Sequence, residues 1–287
     1  MADAFQPVTV TRVRDGARTT VSDRAATEEP LEVRLHGRSF AVIMRTPGAD
    51  RELAAGFLLA ERVLKSADDL GTIEYCTDPG PVEGGGAMAA AGERLSPAEN
   101  IVNVTLAGGS AGALDRLLAE RRQVMTNSSC GLCGRVTIES LRSDVPALDC
   151  AWTIDHATIA ALPDRLRASQ GVFAETGGLH AAGLFTPDGT LEAVAEDVGR
   201  HNAVDKVVGR MLMQERLPLS QHLLFVSGRT SFEIVQKALL AGVPIVASVS
   251  APSSLAIDLA RESGVTLVGF VRGDTFNIYA HAGRIHH

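Results

Sequence analysis

From Ile154 onward, short apolar runs typical of strands alternate with segments of helical spacing. A helix over 154–170, a hairpin about the Pro187-Asp188-Gly189 turn and a helix over 199–214 come first. Strand, helix, strand, helix, strand and strand then follow over 222–228, 231–242, 244–250, 253–264, 266–273 and 275–281. This alternation predicts an α/β sheet with helices on its faces. Ligands of such sheets usually bind at the carboxyl ends of the strands.

The pattern is weaker in the first half of the chain, and the first thirty residues lack sustained periodicity. Residues 31–46 predict a hairpin about His36-Gly37, and 48–64 predict a helix with Asp50 as its N-cap. A Gly-, Ala- and Pro-rich loop near 78–98 precedes a predicted strand (100–106) and a predicted helix (110–122). We therefore expect an N-terminal arm (1–30), a smaller α+β portion (31–125) and an α/β domain (126–287).

Composition is that of a globular protein: 45% of the 287 residues are hydrophobic and 21% are charged. The formal net charge of -7 argues against a general nucleic-acid binder, which needs a basic face. The sequence contains neither the apolar core of a secretory signal nor an uninterrupted membrane span. We expect a cytoplasmic protein that contacts neither membrane nor nucleic acid, and cysteines that are not structural disulfides.

A pair of cysteines, Cys130 and Cys133, lies in the segment "TNSSCGLCGR". A structural zinc site needs four Cys or His ligands, but Cys76 and Cys150 are isolated and no second pair exists. A zinc deaminase needs H-x-E before P-C-x-x-C, and the chain contains no H-x-E. A thioredoxin-type dithiol lacks its usual β-α-β context here, and a Gly-rich turn with two incidental thiols remains the simplest alternative.

A nucleophilic thiolate is the interpretation that the local residues favour. Ser128 or Ser129 can cap a following helix, which would place Cys130 at the helix N-terminus. The free amides, the helix dipole and the nearby Arg135 would stabilise a thiolate there. Such a thiolate can attack a persulfide sulfur and carry it.

Further candidate residues lie in the segment "EDVGRHNAVDK", where His201 and Lys206 follow a predicted strand. The structural alternative is a helix capped by Asp197 with ordinary surface pairs four residues apart. The chain contains only three lysines, however, and one of them stands here beside a histidine and an asparagine. A binding site is therefore a reasonable second interpretation of this segment.

Two short turns, rich in small residues and in side chains with a hydroxyl group, each follow an apolar strand and precede a helix. They contain Ser227, Gly228 and Arg229 in the first turn and Ser250 in the second. Such turns can direct helix N-terminal amides at an anion, although either could simply cap its helix. The sequence contains neither G-x-G-x-x-G nor G-x-x-x-x-G-K-[ST], which disfavours ordinary dinucleotide and nucleoside-triphosphate enzymes.

Five segments together resemble the formate dehydrogenase accessory sulfurtransferases, the FdhD family. They are "SSCGLCGR", "GGLHAAGLF", "EDVGRHNAVDK", "SGRTSFEIVQKALLAGVPIVASVSAPSSLAIDLA" and "GFVRGDTFNIY". The resemblance implies a cytidine-deaminase-like mixed sheet with helices on both faces, no structural metal, and a homodimer. It also implies a carrier that takes persulfide sulfur from a cysteine desulfurase. That sulfur would pass to the molybdenum or tungsten bis-guanine-dinucleotide cofactor, as needed by the formate dehydrogenase catalytic subunit.

The resemblance also assigns roles to residues. Cys130 matches the persulfide-forming cysteine, and Cys133 would act as its partner in relay or resolution. The family's cofactor-binding loop matches Phe270, Val271, Arg272, Gly273, Asp274 and Thr275. We add Ser227, Gly228, Arg229 and Ser250 as phosphate or guanine contacts, with His201 and Lys206 as contacts to the cofactor charge or its pterin end.

Two other functions remain open from the sequence. A module that only holds the cofactor, as a chaperone for formate dehydrogenase, would not need Cys130 for activation. A thiol-disulfide oxidoreductase would instead reduce insulin in a reaction that depends on both Cys130 and Cys133.

Overall fold

A computed structural model describes residues 3–76, 97–108 and 146–286. Cys130, Cys133, the predicted helix over 110–122 and most of the predicted loop near 78–98 lie outside the described residues. The described helices are α1 (Asp50–Ala60), α2 (His156–Ala168), α3 (Gly171–Thr176), α4 (Arg200–Met213), α5 (Phe232–Leu240) and α6 (Ser254–Ser263). None of these described helices has the length and hydrophobicity needed to cross a lipid bilayer.

The N-terminal arm is a two-stranded antiparallel ribbon of β1 (Phe5–Arg14) and β2 (Ala17–Ala26). Most of its side chains are exposed on both faces, which explains why the sequence shows no sustained hydrophobic pattern there. An ion pair between Arg24 and Glu175 joins the ribbon to α3.

The α+β portion contains a four-stranded sheet in the order β4-β3-β6-β5, packed against α1. Its strands are β3 (Glu29–Leu35), β4 (Arg38–Arg45), β5 (Leu70–Tyr75) and β6 (Ile101–Leu106). The predicted hairpin about His36-Gly37 and the strand over 100–106 are confirmed. The prediction that Asp50 caps α1 is wrong: Ala49 is the N-cap, and the Asp50 carboxylate accepts two 2.9 Å hydrogen bonds from buried Arg45.

The larger sheet has six strands in the order β13-β12-β11-β10-β8-β9. They are β8 (His180–Phe185), β9 (Leu191–Asp197), β10 (Leu223–Val226), β11 (Ile245–Ser248), β12 (Thr266–Arg272) and β13 (Thr275–Ala280). The neighbours β10, β11 and β12 run parallel, whereas β8, β9 and β13 pair antiparallel to their neighbours. The predicted mixed α/β sheet is thus confirmed, and its cytidine-deaminase-like topology stays a prediction. A short parallel pair joins β7 (Ile154–Asp155) to β14 (Ile285–His286).

Alternate residues of the central strands enter two different hydrophobic cores. Along β10, Leu223 and Phe225 pack with α2 on one face, whereas Leu224 and Val226 belong to the core on the other face. Because helices cover both faces, the strand is apolar throughout instead of alternating apolar and polar residues. The larger core also includes Leu31 and Val33 of the smaller sheet, so the two sheets share one interior.

Helices α1 and α4 hold the two sheets together by a close crossing. A Cβ atom at Gly56 would overlap the carbonyl oxygen of Asp205, and one at Gly209 would overlap that of Glu52. Glycine is needed at both positions because the two backbones touch directly. This contact fixes the position of α4 against α1.

Candidate functional site

The carboxyl ends of the central parallel strands open into a cavity of about 570 Å³. Ser227, Gly228 and Arg229 follow β10, Ser250 follows β11, and Arg272 is the last residue of β12. The described residues that line it are His180, Arg200, Ser227, Gly228, Arg229, Val249, Ser250 and Arg272. The cavity therefore lies where α/β sheets usually bind their ligands.

Three arginines give this cavity a strong positive charge. Arg200, Arg229 and Arg272 line it, and none of the described residues in its lining carries a carboxylate. Across residues 3–76, 97–108 and 146–286, none of the three guanidinium groups forms an ion pair, and the buried Nε of Arg200 has no hydrogen-bond partner. Guanidinium groups match phosphate and carboxylate oxygens geometrically, so the cavity is suited to an anion with several negative charges.

His180 adds a neutral group to the same cavity. Burial lowers the pKa of His180 below its ordinary value of 6.5, and the positive charges of Arg200 and His201 lower it further, against a raising effect of Asp197. The imidazole is therefore neutral at pH 7 and can both donate and accept a hydrogen bond.

Ser227 and Gly228 place backbone and hydroxyl groups beside the histidine. The Ser227 Oγ accepts a 2.8 Å hydrogen bond from the Ala181 amide, which leaves the hydroxyl proton available to a ligand. A Cβ at Gly228 would meet His180 Nδ1 at 3.3 Å, so a side chain here would crowd the ring. The turn residues themselves line the cavity, whereas the N-termini of α5 and α6 that the sequence suggested do not.

The predicted loop 270–275 divides between the cavity, the core and an exposed turn. Arg272 enters the cavity lining, but the Val271 side chain is buried in the smaller hydrophobic core. Gly273, Asp274 and Thr275 are exposed in the turn between β12 and β13 and do not line the cavity.

Phe270 stands in a β-bulge of β12 with a positive φ of 57° and an exposed side chain. This left-handed conformation is costly for a residue with a side chain and concentrates at functional sites. Phe270 is not part of the cavity lining, but its amide donates to the Ser250 carbonyl oxygen at 3.2 Å. The bulge is thus hydrogen-bonded to a residue that lines the cavity.

Lys206 lies apart from the arginine cavity, in a buried ion pair. Its side chain is 3% exposed, and Nζ lies 2.7 Å from Asp197 Oδ2 and donates to the Thr46 carbonyl oxygen at 2.8 Å. The Asp197 carboxylate is completely buried and also accepts from the Gly199 amide and from Asn202. These contacts join Thr46, which follows β4, to β9 and α4, so they give Lys206 a structural role.

His201 also points away from the cavity, between α4 and α5. Its Nε2 lies 2.7 Å from Glu233 Oε2 and 3.0 Å from Ser231 Oγ, and the ring is largely buried. Asp205 pairs with Lys237 at 2.6 Å in the same layer. The alternative of exposed pairs four residues apart on α4 is therefore wrong, because these side chains pair across elements in the interior.

Sequence reasoning left Arg200 and His180 out of the site. Both are brought there by strand direction: β8 is antiparallel to β10, so its first residue lies at the edge where β10 ends. The adjacent β9 ends opposite His180, and α4 begins with Arg200 directly afterwards. The antiparallel order β10-β8-β9 cannot be read from the spacing of the segments, although the segment "GGLHAAGLF" marked this region.

The cysteine pair and its distance from the cavity lie outside the described residues. Among the described residues, no three His, Cys, Asp or Glu side chains come close enough together to hold a metal ion. Cys76 and Cys150 are free thiols of intermediate burial.

Comparison with known proteins places most of the chain in one group. The model of the FdhD/NarQ family matches residues 26–286. The sulfur carrier protein FdhD of Streptomyces avermitilis is 50% identical over 284 residues, which covers 96% of this chain and 94% of that protein. Its counterpart in Mycobacterium tuberculosis is 48% identical over 269 residues, or 93% of each chain.

A solved structure is similar over the same length. A crystal structure from Desulfotalea psychrophila, described as a formate dehydrogenase accessory protein, superimposes with a TM-score of 0.74 at 25% sequence identity. The match covers 99% of this chain and 100% of that chain. The structural similarity therefore extends beyond the five motif segments to the smaller sheet.

Proposed function

The chain belongs to the FdhD/NarQ family, and from that premise we propose that it is a sulfurtransferase that serves formate dehydrogenase. It takes persulfide sulfur from a cysteine desulfurase and passes it to the molybdenum or tungsten bis-guanine-dinucleotide cofactor. Two kinds of name support this proposal: its relatives are named sulfur carrier proteins, and its structural neighbour is described as a formate dehydrogenase accessory protein.

The observation that carries the proposal is the unpaired positive charge of the arginine cavity. Each half of the cofactor substrate contains a pyrophosphate, and Arg200, Arg229 and Arg272 supply fork-shaped donors for such a group. Ser227 and neutral His180 add donors with no charge. A sulfur carrier without an anionic substrate would not need three arginines that lack carboxylate partners among the described residues.

The sulfur chemistry belongs to Cys130 and Cys133. The Cys130 thiolate attacks the terminal sulfur of the desulfurase persulfide; the donor S–S bond breaks, and the donor cysteine leaves as a thiolate. Cys130 then holds the sulfur as its own persulfide. Attack of the Cys133 thiolate on the Cys130 sulfur forms a Cys130–Cys133 disulfide and releases sulfide toward the cofactor, and a cellular dithiol then reduces the disulfide.

Mass spectrometry of the intact protein tests this assignment. After incubation with a cysteine desulfurase and cysteine, we expect wild type to gain one sulfur atom, about 32 Da, that thiol reductant removes. Cys130→Ala abolishes the gain, whereas Cys133→Ala retains the persulfide and accumulates it. Cys150→Ala is the matched control and should behave as wild type.

A module that only binds the cofactor is the second candidate, because the described residues of the arginine cavity already supply donors for an anion. On this alternative, Cys130→Ala still activates formate dehydrogenase in cells, while Arg229→Gln does not. Loss of activation in both variants, together with loss of the added sulfur in Cys130→Ala alone, favours the sulfurtransferase.

A further inference from the structure

The alternation of side chains along β12 is interrupted just before the strand reaches the arginine cavity. Val268 and Val271 both pack in the smaller hydrophobic core, although they lie three residues apart. In a regular strand, residues separated by an odd number of positions point to opposite faces of the sheet. The strand must therefore accommodate one extra residue between these two valines.

The pairing of β12 with β13 locates the extra residue. Between Gly269 and Arg272, β12 contains two residues, whereas the paired segment of β13 contains only Phe276. Two residues opposite one are the definition of a β-bulge. Phe270, the first residue of this bulge, has a φ of 57°, a left-handed conformation that is costly for a residue with a Cβ.

The bulge determines where Arg272 points. Because one residue is inserted, Arg272 projects from the face opposite Val268 and Val271, and it lines the arginine cavity. With regular alternation, Val268, Phe270 and Arg272 would share one face. The guanidinium group would then be directed to the side of the smaller hydrophobic core, so the bulge reverses the alternation at the position where the cavity needs a charge.

Hydrogen bonds hold the bulge against the turn that follows β11. The Ser250 carbonyl oxygen accepts a hydrogen bond from the Phe270 amide at 3.2 Å and another from the Ser248 hydroxyl at 2.8 Å. Ser248 is completely buried, so water does not compete for this hydroxyl. A Cβ at Gly269 would meet the same carbonyl oxygen at 3.0 Å, so glycine permits the close approach. Ser250 and Arg272, which both line the cavity, are thereby fixed relative to each other.

We propose that Ser248 and Phe270 are positioning residues for the anion site, because together they direct the Arg272 guanidinium group into the arginine cavity. This inference rests on the proposed function, which supplies the phosphates that the cavity binds. Phe270 acts through its backbone conformation, and its exposed ring is not needed to bind phosphate. The donor is thus in place before the anion arrives, which lowers the entropy cost of binding.

Calorimetry on the full-length protein with inorganic pyrophosphate as the probe tests the inference. Phe270→Val introduces a β-branched residue that disfavours a positive φ, so we expect pyrophosphate affinity to fall about tenfold. Phe270→Gly keeps the left-handed conformation without the ring and should retain affinity within about twofold of wild type. Ser248→Ala removes one hydrogen bond to the Ser250 carbonyl oxygen and should lower affinity about threefold.

Glu215→Val is the matched control. Glu215 has the same φ of 57° and is exposed, but it lies beyond the C-terminus of α4, at the opposite end of the helix from Arg200. Valine at this position imposes the same backbone strain away from the cavity. We expect the unfolding temperature to fall as it does in Phe270→Val, with no change in pyrophosphate affinity. An equal loss of affinity in Glu215→Val would show that strain anywhere in the fold weakens binding, which contradicts a positioning role.

A double-mutant cycle with Arg272→Gln distinguishes positioning from general damage to the fold. If Phe270 and Ser248 act through Arg272, then Phe270→Val and Ser248→Ala should cause no further loss of affinity in the Arg272→Gln background. Additive losses, or a loss of affinity in Phe270→Gly, overturn the inference. Thermal unfolding verifies that each variant is folded, and Ser248→Ala carries the same test if Phe270→Val does not fold.

The arginine variants separate failure of this inference from failure of the proposed function. If Arg272→Gln weakens pyrophosphate binding while Phe270→Val and Ser248→Ala do not, the positioning role is wrong and the anion site stands. If only Arg229→Gln weakens binding, Arg272 does not contact the anion and the inference is also wrong. If neither arginine variant weakens binding, the cavity does not bind the phosphates, and the proposed function loses its carrying observation.

Discussion

Two groups of basic side chains lie close together in the sequence and differ completely in their surroundings. Arg200, Arg229 and Arg272 meet in the arginine cavity without carboxylate partners among the described residues. Lys206 is buried, the Lys237 side chain is 11% exposed, and each lies within 2.7 Å of a carboxylate oxygen. A paired buried charge holds elements together, whereas a cluster of unpaired like charges is costly until an anion binds. The difference separates structural cations from ligand-binding ones.

Removing Lys206 from its buried ion pair should have the largest effect, a loss of stability. Lys206→Met leaves the Asp197 carboxylate charged and buried without its partner, so we expect the free energy of unfolding to fall by about 3–5 kcal/mol. Urea denaturation followed by circular dichroism measures this change. Lys65→Met, at an exposed lysine, is the matched control and should change stability by less than about 0.5 kcal/mol.

The same variant tests the prediction that Lys206 contacts the cofactor. If Lys206→Met unfolds at the wild-type urea concentration and loses pyrophosphate binding, Lys206 is a ligand residue. The structural role assigned above would then be wrong.

Removing Lys237 from its pair with Asp205 should lower the stability of the fold by an amount that depends on pH. Burial raises the pKa of Asp205 above its ordinary range, against the lowering effect of Lys237, so the ionised carboxylate already costs stability at neutral pH. Removing the cation in Lys237→Met should lower the free energy of unfolding by about 3 kcal/mol at pH 7. The loss should shrink as the pH falls, because protonation of Asp205 removes the buried charge.

A double variant tests whether the unpaired carboxylate causes this loss of stability. Lys237→Met with Asp205→Asn contains neither charge and should recover most of the stability that Lys237→Met loses. No recovery in the double variant would show that packing of the lysine stem, and not the unpaired carboxylate, causes the loss.

Removing an unpaired arginine should weaken anion binding but should not lower stability, in contrast to the lysine variants. Arg229→Gln removes a charged donor from the arginine cavity, so we expect pyrophosphate affinity to fall about 10- to 100-fold in calorimetry. Its unfolding free energy should stay within about 0.5 kcal/mol of wild type or rise slightly, because like-charge repulsion is relieved. Arg261→Gln on α6, an exposed arginine outside the cavity, should change neither quantity.

The smallest expected effect concerns His180. Its pKa is lowered in the free protein, and a bound anion stabilises the imidazolium, so binding should raise the pKa and take up a proton. Pyrophosphate affinity should therefore increase by about fivefold as the pH falls from neutral through the range below 6.5. His180→Gln lacks this contribution, and the difference between the two pH profiles cancels the titration of the ligand itself. Parallel profiles would show that His180 does not face the anion.

The sequence by itself determined the order of elements from residue 154 onward. The apolar runs of β10, β11 and β12 and the amphipathic segments of α4, α5 and α6 follow local periodicity, which a single segment carries without its neighbours. The five motif segments also fixed the family and placed Ser227, Arg229 and Arg272 near a site, because residues after parallel strands meet at one edge. The Asp50 cap failed because Arg45, five residues away, pairs with its carboxylate.

Only the tertiary structure decided which charges of "EDVGRHNAVDK" face the cavity. Arg200 and Lys206 lie on the same helix, yet the close crossing at Gly56 and Gly209 sets the rotation of α4 against α1 and the smaller sheet. That rotation leaves Arg200 in the cavity and turns Lys206 toward Asp197 and Thr46. Helical periodicity gives the relative directions of side chains on one helix, but packing against elements far apart in sequence decides which direction is open to a ligand.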